Sequence, residues 1–375
     1  MGFSMSRLTA TYLIEARPDE IEARAQALAL EQSVECPLAA IGDQYVLDEI
    51  VARVGSIAPV AADRYRVELE IAVETTGGEP AQFMNMIFGN CSLWEYVRLV
   101  DLALPSGLVA RFPGPNHGLA GIRTLLGATE RPLTSTALKP QGVPVSELAR
   151  LCSIFARGGV DIIKDDHGIA DQSYSPFFER VPACQRAVHE AVQETGRQVF
   201  YAPNLTGTPR LLRERAEFAR SMGVRVVLVA PMLIGIPAFV ELVEAFPEFV
   251  YLAHPAGAGG RIDPVLMFGT LFRMFGGDAV IFTNYGGRFA YPPESCAALA
   301  SALRRPWGMV RPALPVPAGG MLLDRVDELL DFYGKDTMLL IGGDLLVARD
   351  ALLERTRAYV AKVTNYGSAG IGVHA

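Results

Sequence analysis

The rhythm of apolar and polar positions changes near residue 126. Before that point Leu8 to Ile14 alternates weakly and residues 61–74 (AADRYRVELEIAVE) alternate clearly, and each run predicts a β-strand. Residues 17–31 carry acidic side chains near their start, which suits the positive end of a helix dipole and predicts a helix. Residues 81–88 are an apolar run closed by Gly89-Asn90. A small α+β domain with an antiparallel sheet, residues 1–125, accounts for this stretch. Within it Pro113, Gly114, Pro115 and Gly118 mark residues 111–121 as a loop or linker.

After Leu126 short apolar runs alternate with helical stretches of about a dozen residues. Strands are expected near 133–138, 160–164, 198–203, 224–229, 249–253, 279–283, 309–314 and 337–341. Helices are expected at 144–157, 177–195, 210–222, 236–246, 264–275, 293–304, 322–333 and 344–362. This count predicts an α/β fold in which a (β/α)8 TIM barrel, residues 126–375, follows the smaller N-terminal α+β domain. A doubly wound open sheet is the competing architecture, but no GxGxxG opens the first unit.

A barrel gathers the ends of its strands at one mouth. The first expected strand ends at Lys139-Pro140, the second at Lys164-Asp165-Asp166-His167, the third at Asn204 and the fifth at His254-Pro255. The sixth leads into Thr283-Asn284-Tyr285-Gly286-Gly287-Arg288, the seventh into Ala318-Gly319-Gly320 and the eighth into Gly342-Gly343. An apolar strand that ends in ionisable groups needs a counter-charge, a ligand or water there.

Composition narrows the function classes. Half the residues are apolar and a fifth charged, a globular balance. The 34 basic against 41 acidic residues give a net charge of −7, without a basic run, which argues against nucleic acid as a partner. No run of eighteen uncharged apolar residues suggests a membrane span, and the N-terminus lacks the pattern of a signal peptide. Cys36, Cys91, Cys152, Cys184 and Cys296 are dispersed and form no CxxC, which fits reduced thiols in a cytoplasmic protein.

Alternation along a strand puts Lys164 and Asp166 on one face and turns Asp165 away. Carboxylate oxygens are hard ligands that suit Mg²⁺. Lys164 beside Asp166 reads as an ion pair, a general base, or a lysine that has taken up CO2 to become a carbamate ligand. His167 reads as a ligand, a proton-transfer group or a loop histidine. His254 reads equally as a functional group or a satisfied core histidine. Gly319-Gly320 and Gly342-Gly343 occupy the loops where such barrels bind phosphate through backbone N–H groups. Asp344 would repel a phosphate there unless it caps its helix outward. Lys139 and Arg288 add positive charge for a phosphate, a carboxylate or a developing enolate. Residues 283–288 read as a loop that closes over substrate or as a static connection.

In order and spacing these residues resemble the large subunit of ribulose bisphosphate carboxylase/oxygenase (RuBisCO), and more specifically the RuBisCO-like proteins of form IV. The resemblance runs from Phe112-Pro113-Gly114-Pro115 and His117-Gly118 through Arg131-Pro132-Leu133, Lys139-Pro140, Gly158 to Asp166, Asn204, His254, Gly277-Asp278 and Gly286 to Arg288. It continues to Ala318-Gly319-Gly320 and Gly342-Gly343. It implies the same two-domain fold, a homodimer, and active sites completed by the partner's N-terminal domain. It places Lys164 at the carbamylated lysine, Asp166 at a Mg²⁺ ligand and Lys139 at the lysine that handles the enolisation proton. His254 falls at a catalytic histidine and Arg288 at the mobile-loop lysine. Gly319, Gly320, Gly342 and Gly343 match phosphate-loop glycines. Glu31 and Asn90 match residues that reach a neighbour's site.

The departures carry information too. His167 replaces a glutamate ligand, Gln141 a second lysine, Pro255 a phosphate-clamping arginine and Ile281 an active-site histidine. They argue against CO2 fixation and suggest a monophosphate substrate. The expected chemistry is Mg²⁺-assisted enolate formation on a phosphorylated sugar or sugar acid. The short N-terminus and Asn284 to Arg288 favour decarboxylation or transcarboxylation/hydrolysis of a 3-oxo sugar-acid phosphate, of the 3-oxo-isoapionate 4-phosphate type. A methylthio-sugar-phosphate isomerase or enolase and a non-catalytic phosphate-ligand sensor are the competing readings.

Overall fold

The computed structural model describes residues 6–289 and 291–366. They fall into two compact units. The first holds the chain up to Phe112 together with Ala258–Met267, and the second holds Pro113–Gly257 and the chain from Phe268 onward. The helix Gly118–Leu126 therefore counts with the second unit, whereas the sequence pattern put the change at residue 125.

The first unit is built on an antiparallel sheet of β1 (Arg7–Glu15), β2 (Arg53–Ala61), β3 (Arg64–Ala72) and β4 (Val97–Ala103), in the order β2-β3-β1-β4. Leu8, Ala10, Tyr12 and Ile14 of β1 are buried, beside Val67, Leu69 and Ile71 of β3 and Val97 and Leu99 of β4. Tyr12 anchors this face to the helix Pro80–Phe88 by donating its hydroxyl to the Ile87 carbonyl at 2.6 Å. The single strand expected over 61–74 is the second half of a hairpin. Its first half, β2, is an exposed edge strand carrying Gly55 and Pro59, so it shows no clean alternation. Asp63 makes the turn at positive φ.

The second unit is a closed ring of eight parallel strands with helices between them, a (β/α)8 barrel. The strands are β5 (Leu133–Leu138), β6 (Ile162–Asp165), β7 (Phe200–Ala202), β8 (Val226–Val229), β9 (Val250–Ala253), β10 (Ala279–Thr283), β11 (Leu314–Ala318) and β12 (Met338–Leu340). Continuous ladders join β12-β5-β6-β7 and β8-β9-β10-β11. At one seam Leu205 donates to Leu228 O at 2.8 Å and Leu228 donates to Pro203 O at 2.9 Å, which joins β7 to β8. The other seam, β11 to β12, lacks a ladder for a chemical reason. Pro315 and Pro317 have no N–H to donate, and the Thr337 hydroxyl reaches Pro315 O instead, at 3.2 Å. The strand expected over 309–314 meets the true one only at Leu314, where β11 starts.

Alternation fills the barrel axis with Leu133, Ile162, Leu228, Leu252, Val316 and Met338, all fully or almost fully buried. Beneath the ring, Asp161 accepts two bonds from Arg131 (2.6 and 2.8 Å) and one from the Thr134 amide (2.8 Å), tying β5 to the start of β6. No described helix is long and apolar enough to cross a membrane.

Candidate active site

The C-terminal ends of the strands enclose a cavity of about 560 Å³. Lys139, Lys164, Asp166, His167, His254 and Arg288 line it. So do Gly319, Gly320, Gly342 and Gly343. Ten positions spread over two hundred residues of sequence thus meet in one space. Glu31 and Asn90 belong to the first unit, where Asn90 Nδ2 donates to Glu31 Oε1 at 2.9 Å on an exposed surface.

Strand alternation on β6 does what its pattern predicts. Lys164 and Asp166 face the cavity, while Asp165 points outward and is fully buried. Asp165 accepts from Tyr201 Oη (2.8 Å), Arg180 Nε (3.1 Å) and the Asn204 amide (3.0 Å). Asn204 in turn donates its side-chain amide to His167 O and Ile169 O, both at 2.9 Å. A buried polar brace therefore fixes the loop that carries Asp166 and His167 from behind. Arg180 and Tyr201 gave no sequence signal, because each sits among ordinary helix or strand neighbours.

The cavity face is electrostatically graded. Lys139 Nζ lies 2.7 Å from Asp166 Oδ1, and His167 Nδ1 lies 3.6 Å from the same oxygen. Burial alone would raise the Asp166 carboxyl, but the nearby His167 ring, the Lys139 amine and the Lys164 charge hold it well below the carboxylate range. Lys164 is 2% exposed, and its Nζ donates to Asp165 O at 3.0 Å. Burial lowers its ammonium to about 8, against the opposing pull of Asp166. His254 stacks on His167 with ring centroids 4.2 Å apart. Burial, then the Lys164 and His167 charges, push it down to about 2. His254 Nδ1 accepts the Ala256 amide at 3.1 Å, so the neutral ring carries its proton on Nε2.

The glycine loops form the opposite wall. Gly319 and Gly320 have φ of 90° and 84°, a region that favours glycine. Asp344 turns away from a phosphate role: its Oδ2 accepts from Arg355 at 2.8 Å and from the Leu323 amide at 3.1 Å. Pro255, Ile281, Phe289 and Leu322 add an apolar lining. Phe289 and Leu322 were not anticipated, since an apolar residue in a loop looks like any other.

The ribulose bisphosphate carboxylase large chain, catalytic domain, family matches residues 118–276. RuBisCO-like protein 1 of Rhodopseudomonas palustris is 50% identical, covering 96% of this chain and 98% of its own. The chain belongs to the RuBisCO large-chain family, as a RuBisCO-like protein of form IV. A 5-methylthioribulose-1-phosphate isomerase of Rhodospirillum rubrum is 48% identical over 98% of this chain and 99% of its own. The crystal structure of a RuBisCO-like protein from Rhodopseudomonas palustris superposes with a TM-score of 0.90 at 48% identity, covering 96% and 98% of the two chains. The two-domain fold expected from the sequence is that of these relatives.

Among the described residues no three His, Cys, Asp or Glu side chains group in a way that could hold a metal ion. Asp166 and His167 supply one carboxylate and one imidazole. A hard divalent cation wants more anionic oxygen than that.

Proposed function

We propose that this RuBisCO-like protein is an enzyme that moves protons at carbon next to a carbonyl of a phosphorylated sugar or sugar acid, by way of an enediolate. One observation carries the reading: Lys139, Asp166 and Lys164 share one cavity with two glycine loops suited to phosphate. Gly319, Gly320, Gly342 and Gly343 offer backbone N–H groups to the phosphate, and Arg288 adds a cation. Lys139 takes the proton from carbon through its unprotonated amine, becoming the ammonium, and Asp166 accepts an N–H from it in either form and so holds it in place. His254 presents Nε2–H to a substrate oxygen as a neutral donor.

Mg²⁺ fits when Lys164 carries a carboxylate. A neutral Lys164 amine adds to CO2 and releases a proton, which makes a carbamate, and its depressed pKa favours that step. The carbamate, Asp166 and His167 would then hold the ion, and the ion supplies a Lewis acid for the enediolate oxygens. The homodimer, with Glu31 and Asn90 offered to a partner's site, belongs to the same reading, as does a cytoplasmic setting.

Two outcomes follow from one enediolate. Return of the proton at another carbon isomerises a phosphorylated keto-sugar. Loss of CO2 from a 3-oxo sugar-acid phosphate reaches the same intermediate from the other side. Identity of 48% over nearly the whole chain with the isomerase supports the first. The apolar residues Pro255 and Ile281 in the cavity favour a monophosphate over a bisphosphate in either case. The test is a panel of phosphorylated keto-sugars and 3-oxo sugar acids incubated in D2O, with Lys139→Ala and Lys164→Ala as controls. Deuterium in recovered keto-sugar or its isomer supports isomerisation, and CO2 release supports decarboxylation. Neither, with phosphate still bound, favours a ligand sensor.

A further inference from the structure

We propose that Arg325 is a positioning residue that latches the loop after β10 onto the loop after β11 and so sets where Arg288 stands in the cavity. The inference rests on the role given to Arg288 above. Arg325 closes the short helical turn Leu323–Arg325, and it lies outside the cavity lining.

One edge of its guanidinium is held by Glu328, with Nε to Oε2 at 2.8 Å and Nη2 to Oε1 at 2.6 Å. This two-point contact fixes the plane of the fork. The remaining nitrogen, Nη1, points at the carbonyls of Tyr285 and Gly286, each at 3.4 Å. The guanidinium carbon lies 5.1 Å above the Tyr285 ring, whose hydroxyl also donates to Glu328 Oε1 at 3.0 Å. A helix-surface ion pair by itself contributes little. Here the pair orients a third contact, and that contact is with the loop bearing Arg288.

The glycines make the approach feasible. Gly286 has φ of 65°, and a Cβ there would lie 2.8 Å from Arg325 Nη1. A Cβ on Gly287 would collide with the Gly319 carbonyl, and one on Gly320 would lie 2.9 Å from the Arg288 amide. That amide donates to Gly319 O at 3.1 Å, and the Asn284 amide donates to Ala318 O at 2.9 Å. Backbone therefore lies on backbone from Asn284 to Arg288, and Arg325 clips its outer edge. The loop is seated rather than free, and Arg288 enters the cavity from a fixed base.

The experiment compares amide hydrogen exchange and inorganic phosphate binding in the full chain, with Arg325→Ala, Arg325→Lys, Glu328→Gln and Arg288→Ala. In Arg325→Ala, exchange at residues 284–288 speeds up by roughly tenfold, the rest of the barrel is unchanged, and phosphate affinity falls several-fold. Arg325→Lys recovers part of both, and Glu328→Gln shows a weaker version of the same change. Unchanged exchange at 284–288 in Arg325→Ala overturns the latch, as does faster exchange throughout the barrel. If Arg288→Ala binds phosphate like the parent, the role of Arg288 fails instead, and the exchange data still decide the latch.

Discussion

Lys139 Nζ and Asp166 Oδ1 stand 2.7 Å apart at the mouth of the barrel, one at the end of β5 and one at the end of β6. Lys139 is partly open to solvent and Asp166 is mostly covered, so the pair has one wet and one dry side. Its geometry suits a lysine that must be held in place yet exchange protons with a ligand.

Lys139→Ala should therefore separate activity from stability. Turnover of any active sugar phosphate should fall by roughly 10²–10⁴, the usual worth of a general acid or base. The thermal midpoint should fall only slightly, since Lys164 and His167 still face the Asp166 carboxylate once Lys139 is gone. Steady-state kinetics and a melting curve on the same preparation check both halves.

Lys164 gives a pH signature. Its folded-state pKa of about 8 lies below its ordinary value, so the folded chain binds fewer protons than the unfolded chain between about 8 and 10.5. Stability should rise with pH across that window, and below it the burial penalty is present in full. In CO2-free buffer with chelator, Lys164→Met should be more stable than the parent at pH 7, by about 3 kcal/mol. The gain should shrink above pH 8. Urea titrations at pH 7 and pH 10 measure it.

The brace behind β6 should matter to folding. Arg180 and Asp165 form a fully buried ion pair, with Tyr201 and Asn204 completing the carboxylate's bonds. Asp165→Ala leaves the Arg180 charge without its partner, and should cost about 3–5 kcal/mol. Asn204→Leu should cost less but release His167 O and Ile169 O. Denaturant midpoints rank the two variants.

Gly320→Ala tests the glycine wall. The added methyl meets both a φ of 84° and the Arg288 amide, so a strain of about 1–3 kcal/mol is expected. Inorganic phosphate should bind more weakly as the two loops part. Calorimetric titration reads the affinity.

Much of this was legible in the sequence, for identifiable reasons. Most barrel strands are apolar runs, and most end where chemistry-bearing residues start, so Lys139, Lys164 and His254 stood out. Period-two alternation was enough to split Asp165 from Asp166. It failed where chemistry hides the pattern. The prolines of β11 look like breakers, though they only remove donors at a seam. The edge strand β2 is exposed on both faces and shows no alternation. Arg325 was invisible because its importance lies in a neighbour some forty residues back, which only the fold brings close.

The central claim is that the cavity generates a carbanion beside a carbonyl and that Lys139 carries the proton. Solvent deuterium entering a phosphorylated keto-sugar tests it most directly, read by mass spectrometry and proton NMR on recovered substrate and product. The account predicts deuterium at carbon next to the carbonyl with the parent protein and none above background with Lys139→Ala. Product formed in D2O with no deuterium incorporated, or the same incorporation in Lys139→Ala, would contradict it.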